Sequence, residues 1–334
     1  MVTAVLLLLL VAVILAYRGY NNFHRRRVTR LHEKWQPILV DCLDQAPENL
    51  PAISKKDIAD FLLLWNYFHE TLREAGKDNL NATAIQLGLD EWSLRAVSGR
   101  NIRNRLTAIQ TIGWLHDTRG WEALANIMKT ADPVTALCAA KSLLRIDSEK
   151  ILPSFLELVA EKSDWSYSTV GKLLKEAGAD HITEPLLKEI GKRSGKELVR
   201  LLRFVDIAFA DRSAPIISRL IRKEKNVEVL LSCLRAVSLP DDLKTVRKLL
   251  KHEDWRVRTQ AAIALGRFGT QEDIDRLAHA AGDQSWWVRF RSAQALASLP
   301  GMTNAMLRDL AENHNNIFAS EVLTKVREEM EAYG

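Results

Sequence analysis

Hydrophobic and polar positions follow three regimes along this chain. From Val2 to Tyr17 the run VTAVLLLLLVAVILAY carries no charge and shows no polar face. As a helix rising ~1.5 Å per residue it is about 24 Å long. With Gly19, Tyr20 and a snorkelling Arg18 it reaches across a hydrocarbon layer of ~30 Å with slight thinning. The pattern predicts a single-pass transmembrane anchor over 1–20, with Tyr17 and Tyr20 as interfacial rings. A cleaved signal peptide is disfavoured because no basic residue precedes the run, and a buried core helix because such a helix would keep one face polar.

The second regime is broken. Pro37, Pro47 and Pro51 interrupt the chain after a basic stretch, so 21–53 reads as a juxtamembrane stalk and linker. Ser54 and Asp57 then resemble a capping box, and Ile58, Phe61, Leu62, Trp65, Phe68 and Leu72 recur at spacings of three and four until Gly76. This predicts a helical cap over 54–95.

Residues 96–334 read as a repeat array with a carboxy-terminal cap, although between 150 and 225 only helical periodicity such as Leu198, Leu201, Leu202 and Val205 supports it. Trp255-Arg256-Val257-Arg258, followed by Ala261, Ala262, Ala264 and Leu265, returns 31 residues later as Trp286-Trp287-Val288-Arg289 with Ser292, Ala293, Ala295 and Leu296. Asp132 with Ala139, Ala140, Ser142 and Leu143 mirrors Asp254 and its alanines, and Arg105 with Ala108, Ile109, Ile112 and Gly113 matches Arg258 through Gly266. A period near 30 built on helical spacing predicts an all-α solenoid of stacked antiparallel helix pairs. Small residues let neighbouring helices approach, while Val257, Leu265 and Phe268 fill the layer between them.

These residues resemble HEAT repeats, in particular the short HEAT-like form. The resemblance is carried by the Asp before the helix and the Val-Arg pair in its first turn, and is specific for 103–146 and 250–300. It implies a curved rod with a polar ladder between adjacent repeats, and a surface that presents itself to another protein.

Charge sharpens the picture. Residues 1–34 hold six basic side chains against Glu33, which accounts for the whole formal charge of +5; the remaining 300 residues carry 41 basic and 41 acidic groups. A general polyanion-binding domain is therefore not expected, nor is nucleic acid as a partner. Arg18, Arg25, Arg26 and Arg27 follow the apolar run and none precedes it, so the positive-inside bias places the amino terminus outside the cell membrane and the bulk of the chain in the cytoplasm. The same residues, with Tyr17 and Tyr20, form the expected membrane interface. Cys42, Cys138 and Cys233 are odd in number and far apart, which reads as reduced thiols. Asn81-Ala82-Thr83 matches a glycosylation sequon by chance in a cytoplasmic chain.

No HExxH, GxxxxGK[ST], GxSxG or GxGxxG occurs, and the eight His are scattered. The sequence thus predicts no catalytic residue, no cofactor, no metal and no small-molecule substrate. With Val257, Ala261, Ala264, Leu265 and Phe268 facing inward, the outward stripe of the repeat helix carries Arg256, Thr259, Gln260, Ile263 and Arg267; one repeat on it becomes Trp287, Phe290 and Arg291, and in the early copy Arg103 and Trp114. Trp, Phe and Arg dominate interface energetics, so Arg103, Trp114, Arg256, Arg267, Trp287, Phe290 and Arg291 are the candidate partner-binding row. Packing of Trp287 and Phe290 against a carboxy-terminal cap is the competing reading. The function expected is a non-catalytic scaffold binding a membrane-associated protein, for instance in envelope-glycan synthesis or secretion. A HEAT-like lyase or hydroxylase, or a membrane-tethered nucleic-acid binder, stands behind it.

Overall fold

In the computed structural model, residues 2–45, 49–72, 76–237 and 243–333 are described, and within these the side chains of 18 and of 22–332. Among the described residues there are nineteen α-helices and no strand. The chain divides into two units at Ile151/Leu152.

The first unit contains α1 (Val2–Asp44), α2 (Ile58–Thr71), α3 (Lys77–Gln86), α4 (Leu89–Ala96), α5 (Ile102–Trp114), α6 (Trp121–Thr130) and α7 (Pro133–Ile146). α1 corrects the expected stalk. Pro37 lies inside the helix and ends nothing. Leu31, Trp35, Leu39 and Cys42, at spacings of four, four and three, lie along one stripe of α1 and are buried with Phe61, Trp65 and Leu80. Trp35 meets the edge of Phe61 at 4.7 Å between ring centroids, and the Trp65 indole donates to the Leu80 carbonyl at 3.0 Å. Burial of this stripe outweighs the one hydrogen bond that a proline removes from a helix.

The second unit runs from Leu152, within α8 (Ser148–Glu161), through α9 (Tyr167–Ala177), α10 (Ala179–Ile190), α11 (Gly195–Leu202), α12 (Ala210–Lys223), α13 (Val227–Ala236), α14 (Leu243–Leu249), α15 (Trp255–Phe268), α16 (Ile274–Ala280), α17 (Trp286–Ser298), α18 (Asn304–Glu312) and α19 (Ile317–Tyr333). Here α15 packs on α17 and α17 on α19, and α14, α16 and α18 each pack on the helix that follows them.

The small-residue pattern acts as the sequence predicts. A Cβ on Gly113 would stand 2.6 Å from the Ser142 side chain, and one on Gly266 would stand 2.9 Å from the Ala295 backbone. In both units the obstructing residue lies 29 positions after the glycine. Ala261, Ala264, Val257 and Leu265 are fully buried, as are Ala139, Ala140 and Leu143 in the earlier copy. Asp132 and Asp254 cap their helices, accepting the backbone N–H groups of Thr135 and Arg256. The polar ladder between repeats is carried by Arg258, which grips Asp283 of the next loop in bidentate fashion at 2.8 and 2.9 Å.

Among the described residues no helix is long and apolar enough to cross a membrane. The side chains of the charge-free run Val2–Tyr17, and those of Tyr17 and Tyr20, lie outside the described residues, and with them the expected transmembrane anchor. The fold shown is an all-helical repeat structure.

Candidate partner interface

The expected row separates into residues already occupied and residues left open. In the first unit Arg103 donates to Asp60 at 2.6 Å, and Asp60, only 3% exposed, also accepts from Arg27 of α1 at 2.5 Å. Asp60 thus stitches α1 to α5 through α2. This corrects the expected roles of two arginines. Arg27 is committed to Asp57 and Asp60 rather than to a membrane surface, and Arg103 holds the fold while half exposed. Arg18, Arg25 and Arg26 remain exposed; Arg26 lines a groove of about 470 Å³ with Phe23, Arg30, Lys34 and Lys56.

Trp114 is also occupied. Its ring stacks on buried His69 at 5.0 Å, and the Arg145 guanidinium carbon lies 3.3 Å from its centroid, with the Lys77 ammonium at 5.2 Å. Such cation–π contacts are worth ~0.5–2 kcal/mol and leave no indole face for another protein. Asn81 of the sequon donates its amide to the Trp114 carbonyl at 3.1 Å.

In the second unit Arg256 is chelated by Asp254 and by Glu228, each at 2.8 Å. The Arg256 hydrogen bond holds the Asp254 carboxyl below the usual carboxylate range. Arg267 lies over Phe268 at 4.8 Å and donates to the Arg235 carbonyl. Thr259, expected outward, is buried and donates to the Trp255 carbonyl, because a helical threonine hydroxyl reaches the carbonyl one turn back.

The first turn of α17 is different. Trp287 is 50% exposed and Trp286 47%; Trp286 stacks on Phe290 at 5.1 Å with ring planes 8° apart and meets Trp287 edge to face at 4.9 Å. Arg291 sits 5.8 Å over Phe290 and donates to Gln294 at 2.8 Å, so Phe290 and Arg291 support the patch while the two indoles form its surface. The rings hold one another in place before any partner arrives, which lowers the ordering cost of binding. The pattern continues at a shift of 31: Trp255 before it, and Ile317 and Phe318 after it, are exposed in the first turns of α15 and α19. Sequence reasoning missed Trp255, Trp286, Ile317 and Phe318, although one more step of the period lands on them.

Residues 213–297 match the family profile for HEAT repeats. That segment holds α13 to α17 and contains the α15 and α17 turns just described. No curated protein matches the chain. Among solved structures, an engineered protein from the Northeast Structural Genomics Consortium is 15% identical, covering 91% of this chain and 98% of its own at a TM-score of 0.39. A designed armadillo repeat protein, also 15% identical, covers 79% of this chain and 99% of its own at a TM-score of 0.22.

The basic stretch at 192–203 is held largely by its own unit. Arg193 pairs with Glu189, Glu197 and Glu161 at 2.6, 2.9 and 3.2 Å, and Arg200 donates to the carbonyls of Val159, Ser163 and Trp165. Among the described residues no group of three or more His, Cys, Asp or Glu is arranged to hold a metal ion.

Proposed function

We propose that the chain is a non-catalytic scaffold, anchored by its apolar amino-terminal segment in the cell membrane, which captures a protein of the same membrane through the aromatic patch at Trp286 and Trp287. The observation that carries this reading is the pre-stacked indole pair at the start of α17, half exposed, whereas Trp114 at the end of α5 is covered. Monomeric proteins rarely leave a contiguous aromatic patch in water unless something binds it. The anchor rests on the charge-free run and the basic residues after it, which orient the repeats toward the cytoplasm. Tethering raises the effective concentration of a co-resident partner, so a modest intrinsic affinity suffices.

The test is affinity capture from detergent-solubilised membranes, comparing the full chain with Trp286→Ala/Trp287→Ala. A membrane protein retained by the wild type and lost by the variant, at an unchanged melting temperature, is the expected result. Loss of the cooperative melt would assign the indoles to the fold, and equal retention by both proteins would move the interface elsewhere.

A further inference from the structure

In the second unit a groove of about 1510 Å³ runs along the loops that precede α15, α17 and α19, walled by α14 and α16. Its floor is built by repetition. His252, Asp283 and His314, each 31 residues apart, accept the backbone N–H two residues further on: Asp254 at 3.0 Å, Ser285 at 2.8 Å and Asn316 at 3.1 Å. Arg258 and Arg289, also 31 apart, each donate to the two carbonyls of the loop before their own helix. The three loops are therefore held in one fixed, recurring shape.

Charge in the groove is unbalanced. Six cationic side chains line it against two carboxylates, Asp275 and Asp283, in a chain whose last 300 residues are neutral. Three of the cations are already used: Arg258 by Asp283, Arg247 by Asp273 and Glu272, and Arg276 near Asp273. The other three are Lys244, Lys248 and Lys251. They are exposed at spacings of four and three, hence on one side of α14 and its following turn, and no carboxylate among the described residues pairs with any of them. Such a row in a concave wall attracts an anion along its length.

We propose that this groove binds an extended acidic segment of a partner protein, its carboxylates on Lys244, Lys248 and Lys251. The lining favours a polypeptide over a nucleic acid. No Trp, Tyr or Phe ring lines it for base stacking, and the exposed Asp275 would repel a continuous row of phosphates while fitting the gap between two acidic side chains. The amides of Gln284, Asn313 and Asn315 offer both donors and acceptors to a peptide backbone. Three neighbouring repeat helices at ~8–10 Å separation accommodate about six extended residues at ~3.3 Å each. The inference deepens the scaffold reading, on which it rests, by giving the chemistry of the partner's docking segment.

Fluorescence anisotropy of a labelled hexaglutamate peptide with the full chain in detergent micelles, at low ionic strength, tests it. Saturable binding is expected, weakened at least tenfold by Lys244→Glu/Lys248→Glu/Lys251→Glu at unchanged helix content, unaffected by Arg219→Glu/Lys223→Glu on α12, and absent with hexaglutamine. If the triple variant fails to fold, the three single Lys→Gln variants decide, each expected to weaken binding about threefold, one charge contact being worth a fraction of the total. No binding, equal binding by the lysine variants, or tighter binding of an oligothymidylate through the same lysines overturns the proposal. The membrane capture experiment with the indole variant reads the aromatic patch alone, so either idea can fail without the other.

Discussion

α5 and α17 carry the same packing code and use their large side chains in opposite ways. In α5 the close approach at Gly113 is accompanied by a Trp114 enclosed by His69 and Arg145 and an Arg103 spent on Asp60. In α17, which packs onto the glycine of α15, the indoles of Trp286 and Trp287 stand half in water. Equivalence by repeat position fixes which residues are small and buried. It does not fix what the outward positions do, because their neighbours come from outside the repeat. Trp114 is covered by His69 of α2 and Arg145 of α7.

The largest test of this contrast concerns the first unit. Trp35→Ala should destabilise by about 3–5 kcal/mol, since the ring is 1% exposed and nothing refills its space. A change below ~0.5 kcal/mol in denaturant unfolding would return residues 31–42 to a stalk. Next, Trp114→Ala should cost about 2–3 kcal/mol through its lost stack and cation–π contacts, whereas Trp287→Ala should cost under about 1 kcal/mol. Equal losses would erase the distinction between occupied and open aromatic positions. The smallest effect is acid sensitivity. Burial alone would raise the Asp273 carboxyl, but the Arg247 hydrogen bond overrides it and holds the group below its ordinary value of 3.8; Asp90 behaves likewise with Arg119. A lowered folded pKa stabilises above the ordinary carboxylate range, and that contribution vanishes as pH falls through the folded value. The melting temperature should therefore stay level from about pH 7 to about pH 5 and drop below about pH 4. Asp273→Asn should flatten the drop more than Asp90→Asn, because Asp273 is fully buried; an unchanged slope would remove the Arg247 pair from the account.

Much of the fold was legible because its code is local and periodic. The alanines of α15, the caps at Asp132 and Asp254 and the glycine approaches all follow from spacing alone. The lower half of α1 was misread because three prolines outweighed a visible stripe, Leu31, Trp35, Leu39 and Cys42. The Arg27–Asp60–Arg103 link joins residues 33 and 43 positions apart, and no short-range pattern announces such a pairing. Half of the candidate interface was legible for the same reason: Trp287, Phe290 and Arg291 stand where the period puts them, while the covering of Trp114 depends on His69, a residue outside the repeat. Residues 150–225 gave only helical periodicity, and the match to HEAT repeats begins at 213.

The unbroken course of α1 carries a mechanical meaning. Forty-three residues in one helix make a rod about 65 Å in contour, at ~1.5 Å per residue, whose far end is embedded among the side chains of α2 and α3. Because one continuous helix joins the apolar start to the buried finish, a tilt or twist imposed at residues 2–17 would reach Trp35, Asp60 and the helices they hold.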